Sequence, residues 1–297
     1  MRVVSTLPSA TEMLYALGVE PVAVSHECDF PPDAETKPSV TKSEVDVSGD
    51  SVSIAREVGE GAGVHVDFAR LRNLDPDVVV AQDVCPVCAV DAGGLEAGLR
   101  REDVDVDVVR CHAHDPEGVF EDLLKIGETL DVERRAEEVV AGLRLRLHDV
   151  FERAGEIRNR ERALLLDWME PVMVAGHWVP WLFESLGYEY GLVDEDEASA
   201  YRDWDSVVEF EPDLIVVAPC GYDVPDTLRR FEELTGRDGW EDLPAVERER
   251  VYVVDGSSYV NRPGPRIVDS VEILASIADP ELHGPPPEHV VRPMQIR

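Results

Sequence analysis

A segment that occurs twice constrains this chain more than any other feature. Leu71-Arg-Asn-Leu74-Asp-Pro76-Asp77-Val-Val-Val-Ala-Gln-Asp-Val-Cys85 returns as Val207-Val-Glu-Phe210-Glu-Pro212-Asp213-Leu-Ile-Val-Val-Ala-Pro-Cys220. In each copy a short helical stretch must stop, because the residue ahead of a proline is pushed out of the right-handed helical region. The apolar, β-branched run that follows reads as a buried strand. A helix feeding a buried strand, present twice, predicts an α/β fold of two similar lobes with a ligand cleft between them. The 297 residues suffice for two domains that each bury their own core.

The first lobe is expected over residues 1–130. It opens with a strand at 3–7, a Pro8-Ser9 turn and a helix that Gly18 ends, followed by a strand at 22–25. After the repeat come a helix near 95–100, a strand at 104–109 and a helix that Asp115-Pro116 starts. The longest helical pattern begins at Asp131 and carries Ala136, Val139, Val140, Leu143, Leu147, Val150 and Phe151 to about Ile157. At 1.5 Å per residue it is roughly 40 Å long, enough to tie two lobes together, so 131–160 reads as an interlobe backbone helix; the alternative is a helix packed on one lobe only. A second lobe is expected over 161–280, with strands at 163–167 and 251–254 and helices at 179–186, 227–234 and 265–277. Residues 281–297 read as an extended, loosely held tail.

The net charge is -34, and the only lysines are Lys37, Lys42 and Lys125. Such a surface repels nucleic acid and anionic lipid. With 44% hydrophobic residues the acidity does not signal disorder. It predicts a strongly hydrated surface suited to high salt, hence a halophilic source. No stretch is apolar enough to span a bilayer, and the N-terminus enters a strand without a signal-peptide pattern. The expectation is a cytoplasmic monomer without membrane insertion, or an extracytoplasmic one if a leader is missing. The five cysteines, Cys28, Cys85, Cys88, Cys111 and Cys220, lack the spacing of a disulfide framework.

Open α/β sheets bind ligands outside the carboxyl ends of their strands. That rule selects the loops holding Pro8 and Ser9, residues 25–29, 82–88, 167–170, 175–178, 219–222 and 256–263. Cys85-Pro-Val-Cys88 has the spacing of a metal half-site, for which His26, Cys28 and His177 could supply further ligands to zinc or iron; the bland alternative is apolar, partly buried thiols. His26 and His177 read either as groups near a cofactor or as loop histidines bonded to backbone. His112 and His114, beside Cys111, read as helix-start polar residues. Trp168 and Trp178 are expected in loops where a large flat ligand stacks, or else in the core, whereas Trp181 reads as core. Arg262 either pairs with an anionic group on a ligand or pins its loop. The chain has no GxxxxGK[ST], strand-linked GxGxxG, HExxH or GxSxG pattern, so catalysis lacks a motif.

The stretch Val3-Val-Ser-Thr-Leu-Pro-Ser-Ala-Thr-Glu-Met-Leu-Tyr-Ala-Leu-Gly18, the stretch Val24-Ser-His-Glu-Cys-Asp-Phe-Pro31, the Leu-x-Pro-Asp-Val-Val-Val repeat and Asn261-Arg-Pro-Gly-Pro-Arg266 together resemble the cobalamin-binding solute receptors of ABC importers. The resemblance runs from about residue 2 to 277. It implies two lobes joined by one backbone helix and a corrinoid held between them. The cysteine-bearing loops look like those of a soluble subgroup. Matching positions for ligand contact are Pro8, Ser9, Trp168, Gly176, His177, Trp178, Ser258 and Tyr259. The resemblance further implies an acidic residue on each lobe that meets arginines of an ABC importer permease, here matched to Glu96 and Asp205.

The leading expectation is thus non-catalytic binding of cobalamin or a related corrinoid, with His26 or His177 near cobalt. A second is a haem, iron-chelate or transition-metal binding protein using the Cys/His cluster. A third is a cytosolic enzyme of corrinoid or metal metabolism.

Overall fold

The computed structural model describes residues 1–45, 49–60, 63–83, 90, 92–154, 161–194 and 197–294. Two compact units divide the chain: Met1–Arg144 with Pro263–Pro265, and Leu145–Arg262 with Arg266–Arg297. Each is an α/β body.

In the first unit the strands are β1 (Val3–Ser5), β2 (Thr41–Ser43), β3 (Val64–Val66), β4 (Val78–Gln82) and β5 (Asp107–Cys111). The sheet has the order β1-β4-β5, all parallel, and β2 and β3 form a separate antiparallel pair. The helices are α1 (Pro8–Ala16), α2 (Ser51–Gly59), α3 (Phe68–Leu74), α4 (Ala92–Arg101) and α5 (Pro116–Thr129). Proline opens α1, where the missing N–H costs nothing, and Asp115 caps α5 by accepting the Gly118 N–H at 2.7 Å. Val4, Ala23, Leu71, Val79, Ala81, Leu95 and Leu99 pack into one core. The strand expected at 22–25 is reduced to single parallel bridges, Val4 to Ala23 and Val24 to Ser39.

Helix α6 (Glu133–Ala154) follows, and the division between the units falls inside it. Ala136, Val140, Leu143, Leu147 and Val150 are its buried positions, as the sequence periodicity requires.

The second unit carries β6 (Arg162–Trp168), β7 (Met173–Val174), β8 (Glu189–Tyr190), β9 (Ala200–Tyr201), β10 (Leu214–Val217), β11 (Val251–Val254) and β12 (Val291–Pro293). They form one sheet of order β12-β11-β10-β6-β7-β9, with β8 paired to β6. Its helices are α7 (Val179–Glu184), α8 (Trp204–Phe210), α9 (Val224–Arg229), α10 (Glu232–Thr235), α11 (Pro244–Glu247), α12 (Ile267–Ala278) and α13 (Pro280–His283). The C-terminal half of α6 is bound to this unit through Arg146, whose guanidinium bonds Glu272 at 2.6 and 2.9 Å and also pairs with Asp269. The tail is a correction to the sequence expectation. Its residues Val290 and Val291 are buried, and β12 runs antiparallel to β11, so the stretch is tied to the sheet edge.

The echo in the sequence is an echo in structure. Helix α3 ends on Asp75 at φ 45°, and α8 ends on Glu211 at φ 47°. Both residues end their helix in the left-handed region, and the proline that follows cannot continue it. The aspartate after each proline then meets an arginine entering the neighbouring strand: Asp77 Oδ2 accepts the Arg2 N–H at 2.6 Å, and Asp213 Oδ2 accepts the Arg162 N–H at 2.9 Å. The strands they open pair in parallel, β4 with β1 and β10 with β6. None of the described helices is long and apolar enough to cross a membrane.

Candidate functional site

In the first unit, β1 delivers the chain into Pro8 and the buried Ser9, the first residues of α1. Thr11 Oγ1 lies 2.8 Å from Ser5 Oγ and 3.1 Å from Cys28 Sγ. The Cys28 thiol is thus buried beside a hydroxyl. The closing motif also reaches this unit: a Cβ added to Gly264 would stand 3.2 Å from both Cα and Cβ of Ser9, so a side chain there would fit only if Ser9 gave way by a few tenths of an ångström.

His26 follows the bridge at Val24 and is held by Thr41. The Thr41 hydroxyl oxygen lies 2.7 Å from His26 Nδ1 and accepts the His26 backbone N–H at 3.0 Å. Burial lowers the pKa of this imidazole below its ordinary value.

At the ends of β4 and β5, Arg110 gathers the acids. It donates to Glu96 Oε1 at 3.0 and 2.6 Å and to Asp83 Oδ2 at 3.1 Å. The Arg110 guanidinium holds the Glu96 carboxyl below its usual range. Glu96 is therefore engaged within its own unit. Below this cluster, Asp122 accepts the backbone N–H groups of His112 at 2.9 Å and Ala113 at 3.2 Å. Burial nonetheless raises its carboxyl to about 6, and burial together with Asp122 pushes the Cys111 thiol well up. His112 and His114 are exposed.

In the second unit both tryptophans of interest are buried. Trp168 closes β6 at 8% exposure, with its ring centroid 5.1 Å from that of Tyr222. Trp178 caps α7 at 5% exposure and donates its indole N–H to Val260 O at 2.5 Å. The core alternative of the sequence reading holds for both rings: from a strand end and from the turn that caps α7 they pack into the body of the unit. His177, at φ 54°, stacks on Trp178 with centroids 5.6 Å apart, and the N–H of the buried Gly176 donates to Ser199 Oγ at 3.1 Å.

The loop after β11 is braced from several sides. The Ser258 N–H donates to Asp255 Oδ1 at 2.9 Å, Arg266 lies over the Tyr259 ring at 5.3 Å, and Arg262 reaches Ser257 Oγ at 3.4 Å. Burial raises the Tyr259 phenol above its ordinary pKa. Asn261 sends its amide N–H groups to Ala218 O at 2.8 Å and Gly256 O at 3.2 Å, fastening this loop to the end of β10. Asp205, in the first turn of α8, is exposed.

Three residues of these loop clusters escaped sequence reasoning as site residues. Asn261 stood inside a quoted motif and carried a signal. Thr41 carried none, because its partner is fifteen positions away and off any regular spacing. Tyr201 is found by register: Trp168 aligns with Met173 and Met173 with Tyr201, so this half-exposed phenol is level with the carboxyl end of β6. Cys85 and Cys88 lie outside the described residues. Among the described residues, no group of three or more His, Cys, Asp or Glu side chains is placed to hold a metal ion.

A family model described as periplasmic binding protein matches residues 3–257. The chain is 25% identical over 290 residues to an uncharacterised ABC transporter substrate-binding lipoprotein, YvrC, of Bacillus subtilis (strain 168), covering 94% of this chain and 80% of that one. Three solved structures share the fold. A possible iron-binding, periplasmic solute-binding protein from Staphylococcus epidermidis has a TM-score of 0.71 at 22% identity, covering 94% of this chain and 98% of its own. The periplasmic vitamin B12 binding protein BtuF of Vibrio cholerae gives 0.67 at 20% identity, covering 93% and 95%. A periplasmic heme binding protein from Pseudomonas aeruginosa gives 0.71 at 21% identity, covering 95% and 93%.

Proposed function

Because the chain belongs to the periplasmic binding protein family, whose function is non-catalytic solute binding of the kind that serves ABC import, we propose that its solute is cobalamin or a related corrinoid. The observation that carries this reading is the packing of Gly264 on Ser9. Two of the stretches by which the sequence resembles cobalamin receptors, at opposite ends of the chain, meet beside the carboxyl end of β1. A corrinoid is a broad apolar disc fringed with amides. Such a ligand suits small residues and hydroxyls that admit its edge, and aromatic faces that cover its plane.

In this reading Pro8, Ser9, Gly176, His177, Ser258 and Arg262 contact the rim. The aromatic faces come from Tyr259 and the half-exposed Tyr201, with Trp168 and Trp178 buried in the same unit. The lipoprotein relative supports an extracytoplasmic location, and the exposed Asp205 is the better candidate for meeting a permease.

Titration with hydroxocobalamin and with dicyanocobinamide, followed by visible absorption and by thermal unfolding, tests the proposal. Stoichiometric binding is expected, with a stabilisation of about 2.7 kcal/mol when free ligand stands at about a hundred times its Kd. Haem is the second reading, favoured by a fold likeness to a heme-binding structure at a TM-score of 0.71 against 0.67 for the vitamin B12 binding protein. Binding of haemin with no response to either corrinoid overturns the corrinoid assignment.

A further inference from the structure

One hydroxyl fixes both the main chain and the ring of His26. Thr41 Oγ1 stands 3.0 Å from the His26 backbone nitrogen, 2.7 Å from its Nδ1 and 2.8 Å from Ser25 Oγ. A hydroxyl has one proton to give and two lone pairs to receive with. The His26 N–H takes one lone pair, so Ser25 and the imidazole divide the other lone pair and the proton between them.

Two arrangements satisfy that count. In one, Ser25 donates to Thr41 and Thr41 donates to Nδ1, which places the ring proton on Nε2. In the other, Nδ1–H donates to Thr41 and Thr41 donates to Ser25, which leaves Nε2 as a bare lone pair. The second is the state a metal-binding imidazole requires, with its other nitrogen held by a hydrogen bond that sets tautomer and ring orientation. The two states differ only by hydroxyl rotation and the ring tautomer. No heavy atom moves.

Nε2 stands 3.9 Å from Glu27 Oε1, outside hydrogen-bond distance, and the His26 side chain is 25% exposed. The other candidates are less suited. Cys28 is buried against Thr11, and the His177 ring is held by stacking on Trp178 at a residue in the left-handed region.

We propose that His26 Nε2 is an axial nitrogen ligand to the cobalt of a bound corrinoid, with Thr41 as its positioning residue; this rests on the corrinoid reading above. The step is a ligand exchange. The bond from Co(III) to a coordinated water breaks and a bond from Co(III) to neutral imidazole forms. The water leaves with both its protons, the Nδ1 proton stays on the ring against Thr41, and no electron is transferred.

The test uses the full chain and two probes without a nucleotide base of their own: aquocobinamide, with exchangeable axial positions, and dicyanocobinamide, with both closed. Binding of aquocobinamide is expected to shift its visible bands. The Co(II) form bound to the protein is expected to show nitrogen splitting in its electron paramagnetic resonance, changing from a triplet to a doublet when histidine is labelled with nitrogen-15. His26→Ala is expected to weaken aquocobinamide at least about tenfold more than dicyanocobinamide. Thr41→Val should weaken the shift while Thr41→Ser keeps it, an outcome that a purely structural role for Thr41 does not give. Equal losses for the two probes, or no nitrogen splitting in the wild type, overturn the coordination and leave the corrinoid reading intact. Failure of the wild type to bind either probe overturns both.

Discussion

The indole N–H of Trp178 donates to the carbonyl oxygen of Val260 at 2.5 Å, and the N–H of Val260 donates to Ser270 Oγ at 3.0 Å. Both peptide groups of a buried loop residue are thereby satisfied by side chains. Trp178→Phe keeps an aromatic ring but orphans the carbonyl, at an expected cost of about 1–3 kcal/mol. Urea unfolding reads this as a lower midpoint at unchanged slope. A change under about 0.5 kcal/mol would show that water replaces the indole.

At Gly256 the loop after β11 lies close against the end of β10 and the loop that follows it. A Cβ there would stand 2.4 Å from Pro219 O and 2.6 Å from Ala218 O, and neither backbone carbonyl can yield cheaply. Gly256→Ala is expected to destabilise by about 1–3 kcal/mol. It should also weaken corrinoid binding at least about tenfold, read by absorption titration. Gly59→Ala is the control, since nothing lies within 4 Å of its added Cβ.

The buried Asp122 gives the first unit a pH dependence of a definite sign. Burial holds its carboxyl at about 6 against an ordinary value of 3.8, so the native state holds this proton more tightly than the unfolded chain does. The stabilising contribution is complete below about pH 4 and is lost as pH rises through about 6, with a size on the order of 3 kcal/mol. Asp122→Asn retains an oxygen that can accept the two N–H bonds. The difference in stability between wild type and variant should therefore change across pH 4 to 6 and stay flat above it. A difference that is constant from pH 4 to 7 would contradict the assignment.

The net charge of -34 predicts a response to salt that an ordinary domain does not show. Raising KCl from 0.1 to 1 M shortens the screening length from about 10 to about 3 Å. Repulsion among carboxylates falls, and the thermal midpoint should rise by about 2–4 °C for each kcal/mol recovered. Scanning calorimetry at the two concentrations checks this, and a midpoint that falls with KCl would count against the halophilic expectation.

Sequence reasoning reached furthest where one local constraint dictates the backbone. The X-Pro-Asp steps at 76 and 212 announce a helix end and a strand start, and both appear with the same left-handed residue and the same aspartate-to-arginine-backbone bond. The run at 251–254 is a strand with those bounds. It fell short where distant parts decide the outcome. A tryptophan at a strand end looks the same in sequence whether it faces solvent or the core, and only the packing against Tyr222 and the bond to Val260 place Trp168 and Trp178 inside. The strand at 22–25 is apolar enough, but it finds only single bridging partners. The tail read as loose because its order comes from pairing with β11, a partner that no local pattern reveals.

Strand β12 occupies the hydrogen-bonding edge of β11 by pairing Val291, Arg292 and Pro293 with Val254, Val253 and Tyr252. An expression clone trimmed at residue 285 would lose that cover. The uncapped edge would then offer its amide and carbonyl row to any extended chain nearby, and the shortened protein should precipitate through strand-to-strand self-association where the full one does not.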